Sequence, residues 1–209
     1  ESDERFHVRG GNDRITGALA ERLVGQIETG VSLEAVRARP GGGYLCSVRR
    51  GSGSGEIPAD HVVLAIPFTM LRAVRLDVEL PPVKRRAIAE IGYGTNAKLM
   101  VGFSERIWRT AHRSNGSVVA DLRFQSSWET SRLQSGASGI LTNFTGGKHG
   151  LELGEGTPGE QAALFVSDLE RIFPGAAARR PGMKEARFHW PTYPFTKGSY
   201  AGYLPGQWT

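Results

Sequence analysis

The chain has 209 residues, 39% hydrophobic and 22% charged, which is ordinary for a globular protein and enough to bury a core. No apolar run approaches the roughly 20 residues of a membrane helix, and the single cysteine, Cys46, rules out an internal disulfide or a cysteine-based metal site. The net charge of +5 comes mostly from arginine, but Arg49-Arg50, Arg85-Arg86 and Arg179-Arg180 lie far apart without interleaved aromatics, so they read as solvated faces, not a nucleic-acid surface.

The opening residues Glu1-Ser2-Asp3-Glu4-Arg5 lack the apolar run of a signal peptide, and with the unpaired cysteine they suggest a cytoplasmic setting. From Gly10 a helix is expected, capped by Asn12 or Asp13, with Ile15, Ala18, Leu19 and Leu23 on one face. Val31–Val36 and Tyr44–Val48 alternate, and Gly41-Gly42-Gly43 joins them as a hairpin. Gly51–Gly55 makes a second tight connection. His61–Pro67 is continuously apolar, the pattern of a strand buried on both faces. Neither glycine run is a phosphate loop, because each leads into a strand and not a helix.

Phe68–Val74 reads as a short helical turn, and Pro81-Pro82 starts a helix whose apolar face is Val83, Ala87, Ile88 and Ile91. Asn96–Phe103 reads as a strand with Ala97, Leu99, Val101 and Phe103 on one face. Lys98, Met100 and Gly102 then point the other way, and by spacing alone Lys98 is a lysine on an exposed face. Further strands are expected at Ser117–Ala120, Leu122–Ser127 and Gly139–Phe144. Phe124 and Trp128 among them either wall a cavity or belong to the core. Thr157-Pro158-Gly159-Glu160 is a capping box, followed by the buried stripe Ala162, Phe165, Val166, Leu169, Ile172 and Phe173. Lys184–Trp190 reads as a strand leading into a closing segment. Seven of residues 189–209 are aromatic or histidine, among prolines and glycines that exclude a long helix or strand. Such a segment either coats a core or lines a cavity where flat rings meet a flat partner.

Hydrolytic and metal chemistries find little support. No HExxH or comparable metal spacing occurs, no nucleophile–histidine arrangement can be built, and Asp121 and Glu129 carry no pattern that marks an acid–base pair.

Five blocks, in order, resemble the FAD-dependent amine oxidases of the monoamine oxidase type, which include polyamine and L-amino-acid oxidases. They are Gly10–Leu23; Ala59-Asp60 through Ala65-Ile66-Pro67; Pro81-Pro82 through Gly94; Gly94, Lys98, Phe103 and Trp108; and Trp190 through Gly198-Ser199-Tyr200, Tyr203 and Pro205-Gly206. The resemblance implies an α+β chain: a substrate domain with a mixed or antiparallel sheet and flanking helices, plus part of an FAD-binding α/β domain. It divides the chain into 1–70 (FAD domain), 71–190 (substrate domain) and 191–209 (aromatic loop returning to the FAD domain). It further implies that Val31 meets the adenine end of FAD, that Ala65, Ile66 and Pro67 pass the cofactor, and that Lys98 is linked through water to flavin N5. Trp190 corresponds to a tryptophan near the flavin and Tyr200 to the first tyrosine of an aromatic cage. Phe124, Trp128 and Tyr203 are the candidates for the substrate cavity. Ser199 falls where the animal enzymes carry the cysteine that bonds the flavin, so FAD is expected to be non-covalent.

The implied reaction oxidises an amine or amino acid to an imine, with O2 as acceptor and H2O2 released. Related flavoproteins that act on C–C bonds, and a non-catalytic scaffold subunit, are the alternatives. The glycine-rich dinucleotide unit and the C-terminal flavin block of the family are not in this sequence. The chain alone is therefore expected to be a fragment or subunit that binds FAD poorly and needs those segments as partners. No nucleic-acid or membrane partner is expected, and a homo-oligomer stays open.

Overall fold

A computed structural model describes residues 8–207. Residues 1–7, and Trp208 and Thr209 at the end of the closing segment, lie outside the described residues. The chain forms two units, one from residues 1–64 and 74–79, the other from residues 65–73 and 80–209.

In the first unit, α1 (Asp13–Glu21) precedes β1 (Val31–Ala38), β2 (Tyr44–Arg50) and β3 (Gly53–Ala59). The second unit contributes α2 (Phe68–Leu71) before β4 (Arg75–Asp77) returns to the first, giving sheet order β3-β2-β1-β4. β1, β2 and β3 are antiparallel neighbours, while β4 runs parallel to β1. Three successive positive φ values at Gly41, Gly42 and Gly43 close the hairpin, as the glycine run predicts. The strand β3 was not legible, because Gly-Ser-Gly-Glu-Ile-Pro-Ala has poor strand propensity. Its full register against β2, Tyr44↔Ala59 to Arg50↔Gly53, overrides that, and Pro58 is tolerated because β3 is an edge.

Two expectations for this part of the chain are corrected. His61–Pro67 forms no strand, and Val63 is 89% exposed. A run buried on both faces needs a neighbour on each side, and no described strand pairs with it. The side chain of Asn12 does not cap α1 but accepts the Val8 N–H, and α1 buries none of its residues.

The second unit contains α2, α3 (Pro82–Glu90), β5 (Ala97–Phe103), α4 (Ile107–Thr110), β6 (Val118–Val119), β7 (Ser126–Glu129) and β8 (Gly139–Thr145). Then follow α5 (Gly147–Glu152), α6 (Pro158–Glu170) and β9 (Glu185–His189), with 3-10 turns at Ala177–Arg179 and Trp190–Thr192. Its sheet is antiparallel throughout, in order β6-β7-β8-β5-β9. The strand expected over Leu122–Ser127 forms later, as β7, with a bend before it. The capping box of α6 is complete: Thr157 Oγ1 accepts the Glu160 N–H at 3.2 Å, and the Glu160 carboxylate accepts the Thr157 N–H at 2.7 Å. Phe165 and Leu169 of α6 pack with Leu99, Val101, Phe103, Trp108 and Leu141 in one core, with α6 lying on β5 and β9.

One carboxylate is embedded in this core. Glu129 is fully buried; its Oε2 accepts the Trp108 indole N–H at 2.9 Å and Arg109 Nε at 2.5 Å, and its Oε1 accepts the Ser131 hydroxyl at 3.2 Å. Arg106 Nε lies 2.9 Å from Oε1, though its N–H does not point at that oxygen. Burial opposes ionisation of Glu129, but the hydrogen bonds from Trp108 and Arg109, the Arg109 charge and the Ser131 bond outweigh it. The carboxyl is therefore held below the usual range.

Candidate active-site face

Strand alternation gives the second sheet two unlike faces. Along β5, Ala97, Leu99, Val101 and Phe103 are buried beneath α6, whereas Lys98 and Met100 are only half-buried on the other side. The antiparallel register fixes what surrounds them. Lys98 pairs with Phe144 of β8 and with Phe188 of β9, and Met100 pairs with Thr142 and Ala186. Trp128 pairs with Thr142 and so joins the same face.

Lys98 Nζ lies 5.6 Å from the Trp128 ring centroid and 5.7 Å from that of Phe144, within cation–π range of both. Among the described residues no carboxylate pairs with it. On its other side Phe188 begins a chain of rings, with Trp190 at 4.3 Å, Tyr193 at 5.0 Å and then Phe195 at 5.7 Å from Tyr193. Farther along the same face, Met100, Gly102, Ile140, Met183 and Ala186 line a hollow of about 460 Å³. The structure thus brings Lys98, Trp128 and Trp190 to one aromatic face. Phe144 and Phe188 complete it, and sequence reasoning missed them; their alternation with Thr142 and Ala186 was readable, but the register that sets them beside Lys98 was not.

The closing segment is held against the turn before β5. Gly94 N–H donates to Tyr200 O, Ser199 N–H to Gly94 O and Gly202 N–H to Gly92 O, each at 2.8 Å. A Cβ on Gly92 would stand 2.3 Å from Gly202 O, so the two backbones meet where only glycine fits. Ser199 Oγ donates to Asn96 Oδ1 at 2.7 Å and accepts the Asn96 N–H at 3.2 Å. Tyr200 and Tyr203 present rings that are 67% and 53% exposed. The segment clusters with the second unit, not with residues 1–64.

The remaining candidates are placed differently. Phe124 is fully buried, edge-on to Phe165 at 5.0 Å, and this corrects its assignment to the cavity: it faces α6 because the bend before β7 turns it inward. Pro67 precedes α2, where its carbonyl accepts the Met70 and Leu71 N–H groups. Ala65 and Ile66 are exposed in irregular chain, and Val31 opens β1 opposite Arg50. His189, opposite Ala97, joins β9 to α5 through Gly150 O at 3.1 Å. Burial lowers its pKa, against the Gly150 bond and with the Arg187 charge.

A half-buried lysine without a counter-ion, set among flat rings, fits one side of an anionic or electron-accepting heteroaromatic ring. Comparison with known proteins gives the family. The family model for flavin containing amine oxidoreductases matches residues 1–209. The chain is 26% identical over 184 residues to the flavin-dependent L-tryptophan oxidase RebO of Lentzea aerocolonigenes, covering 87% of this chain and 38% of the relative. It is 30% identical over 182 residues to the human peroxisomal N(1)-acetyl-spermine/spermidine oxidase, covering 78% and 35%. Among solved structures, cyclohexylamine oxidase from Brevibacterium oxydans aligns with a TM-score of 0.76 at 17% identity, over 93% of this chain and 42% of that one. Putrescine oxidase bound to putrescine aligns with a TM-score of 0.74 at 20% identity, over 92% and 41%. The chain spans about a third of the length of the curated relatives it matches.

Proposed function

The chain belongs to the flavin containing amine oxidoreductases, with FAD as the cofactor, and from that premise we propose that it forms the substrate-side wall of an oxidase converting an amine or amino acid to its imine. The observation that carries this reading is the Lys98 ammonium, unpaired among the described residues, over the touching Trp128 and Phe144 rings. FAD, when bound, would supply the hydride acceptor and the two-electron couple through which O2 is reduced to H2O2.

The residues of this chain prepare that exchange. The rings of Trp128, Phe144, Phe188 and Trp190 exclude water and disfavour an ammonium, so the amine is held as the free base with its lone pair available. Loss of a hydride from carbon and a proton from nitrogen then leaves a C=N bond, which water hydrolyses to a carbonyl and ammonia. The fixed positive charge of Lys98 stabilises negative charge that develops beside it, with no proton transfer required. Ser199, its hydroxyl tied to Asn96, cannot supply a thioether, so FAD is held without a covalent bond.

The test is peroxide release by the FAD-loaded full-length protein on an amine and amino-acid panel, for the parent and for Lys98→Met. We expect amine-dependent peroxide, and at least a 100-fold slower turnover in Lys98→Met with FAD still bound. A protein that dehydrogenates C–C bonds and leaves every amine untouched would refute the reading.

A further inference from the structure

We infer, on the basis of that reading, that His189 and Thr192 are positioning residues: together they hold the turn from which the Trp190 ring reaches the open face. The need for them follows from where Trp190 stands. β9 is the outermost strand of its sheet, and its last pair is His189 with Ala97. Trp190 lies one residue beyond, in a 3-10 turn whose second residue is Pro191, so the strand ladder does not extend to it. Its ring nevertheless sits 4.3 Å from that of Phe188, the residue opposite Lys98.

What holds the turn is the imidazole behind it. Alternation puts His189 on the side of Ala97, away from Phe188. There its Nε2 meets the Gly150 carbonyl of α5 at 3.1 Å and its Nδ1 meets Thr192 Oγ1 at 2.9 Å. A carbonyl only accepts, so in the neutral ring, which burial favours, Nε2 carries the proton and Nδ1 accepts the Thr192 hydroxyl. The ring is thus a strut from α5 to the end of the turn. Gly154 makes its seat: a Cβ there would stand 2.5 Å from His189 Cε1 and 2.7 Å from Nε2, so the imidazole lies against bare backbone. The strut also reaches the closing segment. Trp190 O accepts the Tyr193 and Gly198 N–H groups, each at 3.2 Å, and the Thr196 hydroxyl at 3.1 Å. A shift of the Trp190 backbone therefore carries Gly198 and the adjoining Ser199 and Tyr200 with it.

The experiment uses the FAD-loaded full-length protein and two variants: Thr192→Val, which keeps the shape and loses the hydroxyl, and Thr192→Ser, which keeps the hydroxyl and loses the methyl group. Visible circular dichroism of the bound flavin reads its surroundings without turnover. Stopped-flow reduction reads the limiting rate, with phenethylamine, L-tryptophan or spermidine, whichever reduces the flavin fastest. We expect Thr192→Val to change the flavin dichroism and to lower the limiting rate about 10-fold, since small misplacements near reacting groups are costly. Thr192→Ser is expected to stay within about 2-fold of the parent, and in a Trp190→Phe background Thr192→Val should cost less than about 2-fold, because the two changes act through one ring. Valine and serine variants that behave alike, or a Thr192→Val effect undiminished in the Trp190→Phe background, overturn the inference. If none of the compounds reduces the flavin, the oxidase reading fails and the dichroism decides alone. A change in Thr192→Val that is absent both from Thr192→Ser and from the Trp190→Phe background then upholds the positioning role, and any other pattern refutes it.

Discussion

Glu129→Gln is the sharpest probe of the scaffold behind the open face. The substitution is nearly isosteric: its one amide oxygen can keep the Trp108 hydrogen bond, while its amide nitrogen can only donate to the Ser131 hydroxyl, so it removes charge more than shape. Breaking a buried ion pair from one side costs about 3–5 kcal/mol. Two features lower that figure here: Arg109 is 42% exposed and recovers hydration, and Arg106 keeps bonds to the carbonyls of Gly136, Gln134 and Ser131. A loss of about 2–3 kcal/mol is expected, measured as the shift in urea midpoint at unchanged m-value, with Trp fluorescence as the signal.

The pH dependence has a definite sign. Because the folded state holds the Glu129 carboxyl below its ordinary range, its contribution is complete above the unfolded carboxylate pKa, about 4.3, and is lost as pH falls through the lower folded value. The difference between parent and Glu129→Gln should therefore be constant from neutral pH to about pH 5 and shrink below about pH 4. A loss under about 0.5 kcal/mol, or a difference that persists undiminished at acid pH, would refute the reasoning.

Two further outcomes test the packing and the cofactor. Gly150→Ala would put a Cβ 2.0 Å from the backbone oxygen of Thr95, so a destabilisation of about 2 kcal/mol or more is expected in thermal unfolding; an unchanged Tm would mean that α5 does not approach the turn before β5 so closely. Denaturation of the FAD-loaded protein followed by filtration should release all the flavin, because Ser199 offers no sulfur, and flavin retained on the unfolded chain would contradict this.

What the sequence determined by itself was whatever depends on neighbours a few residues apart. The Thr157–Glu160 capping box and the stripe through Phe165 and Leu169 defined α6, and alternation alone turned Lys98 away from Leu99 and Val101. The five motif blocks carried the family and the cofactor. Pairing across distance was decided only by the tertiary structure. β3 exists because β2 supplies a register that its own glycines do not favour. His61–Pro67 is coil because apolar residues make a buried strand only where partners flank them. Phe124 and Trp128, four residues apart and alike in composition, part company because a bend sends one into the core while strand register sets the other over Lys98. Periodicity is a local property that side chains impose on their own backbone; a site is a meeting of strands remote in sequence, and its membership follows from register.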